Sequence, residues 1–128
     1  MRKQKVSTVK KKVWEECKRI VRSRYAIGEG RWSCFTCDRI IEEKKDAHTG
    51  HFIPSGSCGA FLRYNLRNLR IQCYNCNINL GGNGAEYYRR MVREVGEREV
   101  NQLFIDKNKT VKADIIFYLN LLEEYTNL

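Results

Sequence analysis

The chain has 128 residues and a formal charge of +9, with 24 lysines and arginines against 15 aspartates and glutamates. This length suits one domain, or one small core with helical extensions. The basic composition points first to a polyanionic partner such as nucleic acid, and second to simple solubility. No segment approaches the roughly 18 apolar residues that span a bilayer, which excludes an integral membrane protein.

The basic N-terminus leads into Lys10-Lys11-Lys12 without an apolar segment, which predicts that the chain has no signal peptide. Six cysteines in such a chain favour reduced thiols and metal binding over disulfides. We therefore expect a cytoplasmic protein, or a nuclear one where the host has a nucleus.

The first predicted element is an amphipathic helix over residues 7–25. Val9, Val13 and Cys17 recur at helical spacing, and Ser7 is the predicted N-cap. Cys17 lies on this apolar stripe, so we interpret it as a small core residue and not as a metal ligand.

Two Cys-x-x-Cys pairs mark the middle of the chain: Cys34 with Cys37, and Cys73 with Cys76. A two-residue gap lets both thiolates of a pair reach one tetrahedral ion, so the pairs predict a closed Cys₄ zinc site. Such a site is structural, because no coordination position is left for water. A redox pair is the alternative interpretation. Cys58 has no partner at this spacing and is predicted to be a spare thiol.

Short apolar groups between the Cys pairs predict a two-stranded ribbon, formed by residues 47–53 and 61–64 and joined by a loop. After the second pair the sequence becomes helical. Asn83 and Glu86 have the spacing of a capping box, and Gly96 is the predicted end of that helix.

A short helix is expected over residues 97–104 and a last one over residues 111–125. The last helix has a predicted apolar stripe of Ile115, Leu119, Leu122 and Tyr125. No linker divides the chain, which predicts a single domain over residues 1–128.

Both histidines lie between the Cys pairs, in Asp46-Ala47-His48-Thr49-Gly50-His51-Phe52-Ile53-Pro54. Gly50 and Pro54 argue against a helix there, and two solvent-facing imidazoles on a loop are one interpretation. Taken with the asparagines near the second Cys pair, however, the segment resembles the HNH (His-Me finger) endonuclease pattern. The matching residues are His51-x-x-Pro54, Asn68-Leu69 and Cys73-x-x-Cys76-Asn77.

The resemblance is closer still to the NinG (Rap) recombination protein family of phage lambda, and it covers residues 25–95. It rests on Cys34-Phe35-Thr36-Cys37, His48-x-Gly50-His51-Phe52-Ile53-Pro54, Asn68, Gln72-Cys73-x-x-Cys76-Asn77 and Gly82-Asn83 with Glu86-Tyr87 following. It implies a small α+β fold. A zinc-stapled ββα-metal (HNH-like) core over residues 31–95 would be flanked by the helix over 7–25 and by helices over 97–128.

By this resemblance His51 is the general base, because an imidazole can take a proton from water at neutral pH. Asn68 is expected to hold the loop that orients His51. Asn77 is expected to bind a catalytic Mg²⁺ or Mn²⁺, which would contact the scissile phosphate. His51 and Asn77 are therefore expected beside one shared cation, with the Cys₄ zinc holding Asn77 in place.

Gly50 departs from the common HNH pattern, which has a metal-binding Asp just before the base. His48 lies two residues earlier and shares the strand face of Gly50, so we expect His48 to be the substitute ligand. Asp46 is the alternative. A histidine ligand would also suit Ni²⁺ or Zn²⁺, so the identity of the catalytic metal stays open.

Five arginines near Asn68 and on the following helix are predicted to contact DNA phosphates, together with Lys10, Lys11 and Lys12. They are Arg63, Arg67, Arg70, Arg89 and Arg90. Each one alone is as typical of a solvated surface charge.

The leading hypothesis is a metal-dependent endonuclease that hydrolyses DNA phosphodiester bonds in phage recombination, with branched or Holliday-junction DNA as a candidate substrate. This implies the host-cell cytoplasm, and a homodimer would suit junction cleavage because two strands must be cut. The alternatives are a non-catalytic zinc-ribbon nucleic-acid-binding module and a zinc-stabilised protein-interaction adaptor. The histidine pair favours the enzyme, since neither alternative has a use for His51.

Overall fold

The computed structural model describes residues 4–128, so Met1, Arg2 and Lys3, which begin the N-terminus predicted to lack a signal peptide, lie outside it. Within the described range the chain forms five α-helices: α1 (Val6–Arg24), α2 (Ala60–Arg63), α3 (Gly84–Val95), α4 (Glu97–Asp106) and α5 (Ile115–Thr126). Strands β1 (Ala26–Gly28), β2 (Arg31–Ser33) and β3 (Ile40–Ile41) form one antiparallel sheet, while β4 (His48–His51) and β5 (Leu69–Gln72) form another. The predicted α+β class is therefore confirmed in its coarse form.

Helix α1 buries the predicted stripe, including Val9, Val13 and Cys17, none of which is exposed. The predicted cap is wrong. The helix begins at Val6 with Lys5 as its N-cap residue, and no side chain caps it. Ser7 therefore lies inside the first turn, where its hydroxyl has no capping position to occupy.

The predicted ribbon exists, but its second strand is not the predicted one. Strand β4 pairs with β5 in a register that runs from His48 opposite Gln72 to His51 opposite Leu69. Residues 61–64 instead lie mainly in the helical turn α2, in which the Gly59 carbonyl accepts hydrogen bonds from two backbone amides. All four residues of β5 are buried, and a short buried run of this kind has no periodicity that identifies it as a strand.

Helix α3 begins and ends where predicted, but the capping box does not form. Asn83 has a left-handed backbone with φ of 51°, and its side chain makes no capping bond. The Asn83 amide instead donates to Cys76 Sγ at 3.6 Å. Glu86 pairs with Arg89 and Arg90, so both polar side chains of the predicted box have other partners.

Helix α5 begins later than predicted, because the Asp114 carboxylate caps it by accepting a hydrogen bond from the Phe117 amide. Tyr125 of the predicted stripe is buried, whereas Leu119 is exposed and Tyr118 is buried instead. Helices α3 and α4 follow each other directly through Gly96, whose positive φ of 89° suits glycine.

Two apolar clusters contribute to the core. The first joins α1 and α5 to both sheets, including Leu69 and Ile71 of β5. The second joins α3 and α4 to the loop that follows β4, through Phe52 and Ile53. The β4–β5 ribbon and its loop therefore lie where the two clusters meet. Among the described residues, no helix is both long and apolar enough to cross a membrane.

Candidate metal centre and active site

The four predicted zinc ligands lie together. The sulfur atoms of Cys34, Cys37, Cys73 and Cys76 are all within 4.8 Å of one another. A tetrahedral ion with Zn–S bonds of about 2.3 Å would place its sulfur atoms about 3.8 Å apart. The Sγ atoms of Cys37 and Cys73 are 3.7 Å apart, which fits this geometry. The four cysteines can therefore hold one metal ion.

Local hydrogen bonds favour a thiolate at Cys34, whereas burial raises the pKa of the Cys37 and Cys73 thiols. Burial would raise the pKa of the Cys34 thiol, but hydrogen bonds from Thr36 and from backbone amides bring it to about 7. The Cys76 backbone amide also approaches Cys73 Sγ at 3.4 Å. These contacts stabilise negative sulfur, which is the form that binds a metal.

The other two cysteines lie elsewhere, as the sequence indicated. Cys17 is fully buried in α1, and burial raises its pKa to about 12, so it stays a neutral core thiol. Cys58 is buried in the second apolar cluster, and its pKa is also raised by burial. Neither belongs to the four-sulfur cluster.

His51 ends β4 with its imidazole held on two sides. Its Nε2 atom lies 2.9 Å from the backbone carbonyl of Arg63. Because a carbonyl only accepts, Nε2 must carry the proton, which leaves Nδ1 as the unprotonated acceptor. The ring stacks on Trp14 of α1, with 5.2 Å between centroids and an angle of 9°. Burial lowers the pKa of His51 and so favours the neutral ring.

Asn68 makes the contacts expected of a residue that holds the loop after His51. Its Oδ1 accepts a hydrogen bond from the Ile53 amide at 2.8 Å, and its Nδ2 donates to the Ile53 carbonyl at 3.0 Å. The Asn68 carbonyl also accepts from the Phe52 amide. Asn68 is fully buried, so these bonds clamp the chain that leaves β4.

Asn77 contacts His48 and not His51. The Asn77 amide nitrogen lies 3.1 Å from His48 Nδ1, and the ring of Tyr74 packs edge-on against the His48 ring at 5.7 Å. Within residues 4–128, no hydrogen bond or ring contact joins His51 to Asn77. No direct contact therefore supports the expectation that His51 and Asn77 share one cation. The Asn77 amide lies on the His48 imidazole, while His51 is held by the Arg63 carbonyl and the Trp14 ring.

His48, the expected substitute ligand, lies beside Asn77. His48 and Asn77 bring an imidazole nitrogen and a side-chain amide together, whereas Asp46 is exposed at the end of the short turn before β4. The amide oxygen and nitrogen of Asn77 are nearly isosteric, so rotating the amide group presents Oδ1 to the same place. His48 and Asn77 could then offer one nitrogen and one oxygen donor to a divalent cation.

Gln72 explains why position 50 is glycine, and this contact has no local signal in the sequence. A Cβ on Gly50 would lie 1.9 Å from Gln72 Oε1 and 2.7 Å from Gln72 Cδ. The Gln72 side chain is fixed, because its Nε2 donates to Thr36 Oγ1 and to the Gly82 carbonyl. Gln72 therefore fills the space beside Gly50 in which an aspartate side chain would have to lie.

The predicted DNA-binding arginines are mostly engaged within the protein. Arg70 is only 4% exposed, pairs with Glu94 and packs over Tyr25 and Phe35. This corrects its assignment to a phosphate-contacting surface. Arg63 donates to the carbonyls of Ser55 and Cys58, so its guanidinium closes the loop before α2.

The other three arginines are paired with carboxylates. Arg67 lies 2.7 Å from Asp106, and Arg90 bridges Asp38 and Glu86. Arg89 also contacts Glu86, but its side chain is 65% exposed and can turn towards a ligand. Of the five, Arg89 is the most exposed.

Comparison with known proteins identifies the family. Residues 1–127 match the family model described as the bacteriophage lambda NinG protein. The chain belongs to the NinG family. Its relatives include the protein ninG of Escherichia phage lambda, 28% identical over 76 residues that cover 59% of this chain. The proteins ninG of Escherichia phage 933W and of Enterobacteria phage VT2-Sa are each 26% identical over the same length.

The alignment covers 36% of the length of each of these NinG relatives. No solved structure matches the chain significantly. The match of the family model over nearly the whole chain extends the resemblance beyond the central motifs to α1 and the C-terminal helices. Trp14, which stacks on His51, thus lies within the family region although it is far from the motifs in sequence.

Proposed function

We propose that this NinG-family protein is a zinc-stabilised, metal-dependent endonuclease that hydrolyses DNA phosphodiester bonds, with His51 as its general base. The observation that carries the proposal is the hydrogen bond from His51 Nε2 to the Arg63 carbonyl. This bond selects the tautomer in which Nδ1 can accept a proton. A base that removes a proton from water needs that free acceptor.

Two further features support this role for His51. Burial lowers its pKa, so the ring is neutral, and able to accept a proton, at neutral pH. Asn68 clamps the chain on the C-terminal side of His51 through the backbone of Ile53. A base held in this way loses little entropy when it meets a substrate water.

His48 and Asn77 would hold the catalytic divalent cation, Mg²⁺ or Mn²⁺, with Asp46 as the less favoured ligand. When bound, such a cation would stabilise negative charge on the scissile phosphate. Zinc at the four cysteines would fix Asn77, because Asn77 directly follows Cys76 in the chain. His48 is fixed on the other side by the pairing of β4 with Gln72 of β5.

The net charge of the chain supports a nucleic acid as the substrate. A net charge of +9 favours a polyanion, and exposed basic residues such as Lys11, Lys12 and Arg89 are available for phosphate contacts. We propose DNA formed during phage recombination, including branched DNA, as the substrate. A homodimer would allow two strands of a junction to be cut.

Cleavage of labelled duplex, nicked, flapped and four-way DNA in the presence of Mg²⁺ or Mn²⁺ tests the proposal. We expect cleavage by the wild type and a loss of at least about 100-fold in His51→Gln, a change typical of removing a general base. Glutamine can still donate to the Arg63 carbonyl, so this variant keeps the structural bond but has no proton-accepting nitrogen. The exposed Lys112→Ala change serves as the control and should cleave normally.

The proposal fails if the wild type cuts none of these substrates with either metal, or if His51→Gln cuts as fast as the wild type. One observation favours a second function, a non-catalytic zinc module that binds nucleic acid: Asn77 contacts His48 and not His51. That function predicts binding that weakens steeply with salt and no metal-dependent turnover.

A further inference from the structure

Helix α1 reaches the candidate base through Trp14. The indole and the His51 imidazole are nearly parallel, at 9°, with their centroids 5.2 Å apart. Trp14 also meets the Tyr64 ring edge-on at 6.5 Å. Tyr64 directly follows Arg63, whose carbonyl binds His51, so Trp14 and this backbone segment together surround the imidazole.

We propose that Trp14 is a positioning residue for His51, which holds the imidazole plane so that Nε2–H stays on the Arg63 carbonyl and Nδ1 stays free. This inference rests on the proposed endonuclease function. It adds a residue from outside the central motifs to the site.

The two contacts of His51 restrict different motions. A single hydrogen bond to a carbonyl allows the imidazole ring to swing about the line that joins the two atoms. A parallel aromatic surface opposes that swing, because tilting the ring loses the stacking contact. The hydrogen bond in turn prevents a ring flip that would exchange Nδ1 and Nε2. Both contacts are therefore needed to present Nδ1 in one direction.

The elements that carry these contacts are tied together. The Tyr64 carbonyl accepts from the Tyr125 hydroxyl of α5 and lies 3.8 Å from the Cys17 thiol of α1. Arg19 of α1 donates to the Tyr125 carbonyl at 2.9 Å. Helices α1, α2 and α5 thus form one support around His51, and Trp14 is the side chain of α1 that contacts the imidazole.

Nitrogen-15 NMR of the two histidines tests the proposal, because the Nε2–H and Nδ1–H tautomers of a neutral imidazole have distinct shifts. At about pH 8, where an ordinary imidazole is neutral, we expect a single Nε2–H tautomer for His51 in the wild type and in Trp14→Phe. In Trp14→Leu we expect a mixture of tautomers at His51, while His48 is unchanged and serves as the internal control.

The cleavage rate should fall in the variants in which His51 loses its single tautomer. We expect Trp14→Leu to lower kcat at least about tenfold with little change in KM, and Trp14→Phe to stay within about threefold of the wild type, as for a misplaced catalytic group. If Trp14→Leu does not fold, Trp14→Met takes its place, since it fills similar space without a flat ring.

A Trp14→Leu protein that keeps the single Nε2–H tautomer at His51 would overturn the positioning role. So would a Trp14→Phe protein that loses this tautomer. These NMR outcomes do not depend on activity. A wild type that shows the expected tautomer but cuts no DNA would refute the endonuclease function while leaving the Trp14 contact with His51 supported.

Discussion

Gly50 and Gln72 illustrate how a single side chain decides what its neighbour can be. Gln72 is fully buried and its amide nitrogen is held by two hydrogen bonds. Its Oε1 atom points at Gly50 and, among the described residues, accepts no hydrogen bond. Glycine at position 50 is thus linked to the residue at position 72.

Gly50→Ala is expected to lower the free energy of unfolding by about 1–3 kcal/mol, the usual cost of overpacking a core. The new Cβ would displace the Gln72 amide from its two hydrogen bonds. Urea denaturation measures the change. Gly56→Ala is the matched control, because a Cβ there meets nothing within 4 Å, and its effect should stay within about 0.5 kcal/mol.

A Gln72→Ala background removes the clashing amide, so Gly50→Ala should cost less there than in the wild type. Equal costs in the two backgrounds would contradict this explanation of Gly50. The comparison is a double-mutant cycle, which isolates the interaction between the two positions.

His51 should make stability depend on pH on the acid side. Burial lowers its folded pKa below the ordinary value of 6.5, so the unfolded chain binds the proton more readily. The stability contribution of neutral His51 is therefore fully present above about pH 6.5 and is lost as the pH falls towards the folded pKa.

Urea denaturation from about pH 7.5 to 5 measures this dependence. His51→Gln should lose less stability across that range, because glutamine does not titrate. The acid limb of any cleavage rate should likewise lie below the ordinary histidine pKa, since the lowered pKa keeps the base neutral to lower pH. A steeper acid loss in His51→Gln than in the wild type would contradict the buried-imidazole interpretation.

Among the elements, β5 is the one whose role differs most from expectation. It pairs with β4, continues into Cys73 and contributes Leu69 and Ile71 to the core. Arg70 points to the opposite face from these residues and is also buried, through Glu94 and two aromatic rings. A buried charged side chain of this kind is paired inside the protein and is not available to contact DNA.

Arg70→Ala is therefore expected to lower the free energy of unfolding by about 2–4 kcal/mol, because packing and several hydrogen bonds are lost together. Thermal or urea denaturation measures the loss. Arg89→Ala is the control: its side chain is 65% exposed, so the stability change should be within about 0.5 kcal/mol.

In DNA binding the order of the two variants should be reversed, with the larger effect in Arg89→Ala and not in Arg70→Ala. Arg89→Ala should weaken salt-dependent binding and leave the fold intact. If Arg70→Ala is as stable as the wild type and only loses DNA affinity, the structural role of Arg70 is wrong.

In the whole molecule, the four-cysteine cluster joins segments that are distant in sequence. Cys34 and Cys37 follow β2, and Cys73 and Cys76 follow β5, so a metal ion there would tie the two sheets together. In a chain of 128 residues with many short elements, such a link would add to the stability that the apolar clusters provide.

We expect one zinc ion for each chain, and removal of zinc by a chelator should lower the free energy of unfolding by at least about 3 kcal/mol. Elemental analysis and circular dichroism measure the two quantities. Cys76→Ser should lose the metal, whereas Cys58→Ser should keep it, because Cys58 lies outside the cluster. Zinc retained in Cys76→Ser would show that the cluster is not the binding site.

The sequence by itself determined the features that depend on local spacing. The Cys-x-x-Cys pairs predicted the sulfur cluster, and apolar periodicity predicted α1 and α3 because a helix repeats every 3.6 residues. The motif resemblance pointed to the NinG family, which the family comparison confirmed. Endonuclease activity, the second cation and DNA binding remain predictions.

Only the tertiary structure decided what depends on contacts between distant residues. It paired β4 with β5, buried Arg70, placed Gln72 against Gly50 and brought Trp14 onto His51. None of these contacts has a local signature, because partners far apart in the chain are selected by packing and hydrogen bonding in the folded state. The surroundings of the candidate base are therefore a property of the fold, whereas His51 was proposed as that base from its motif alone.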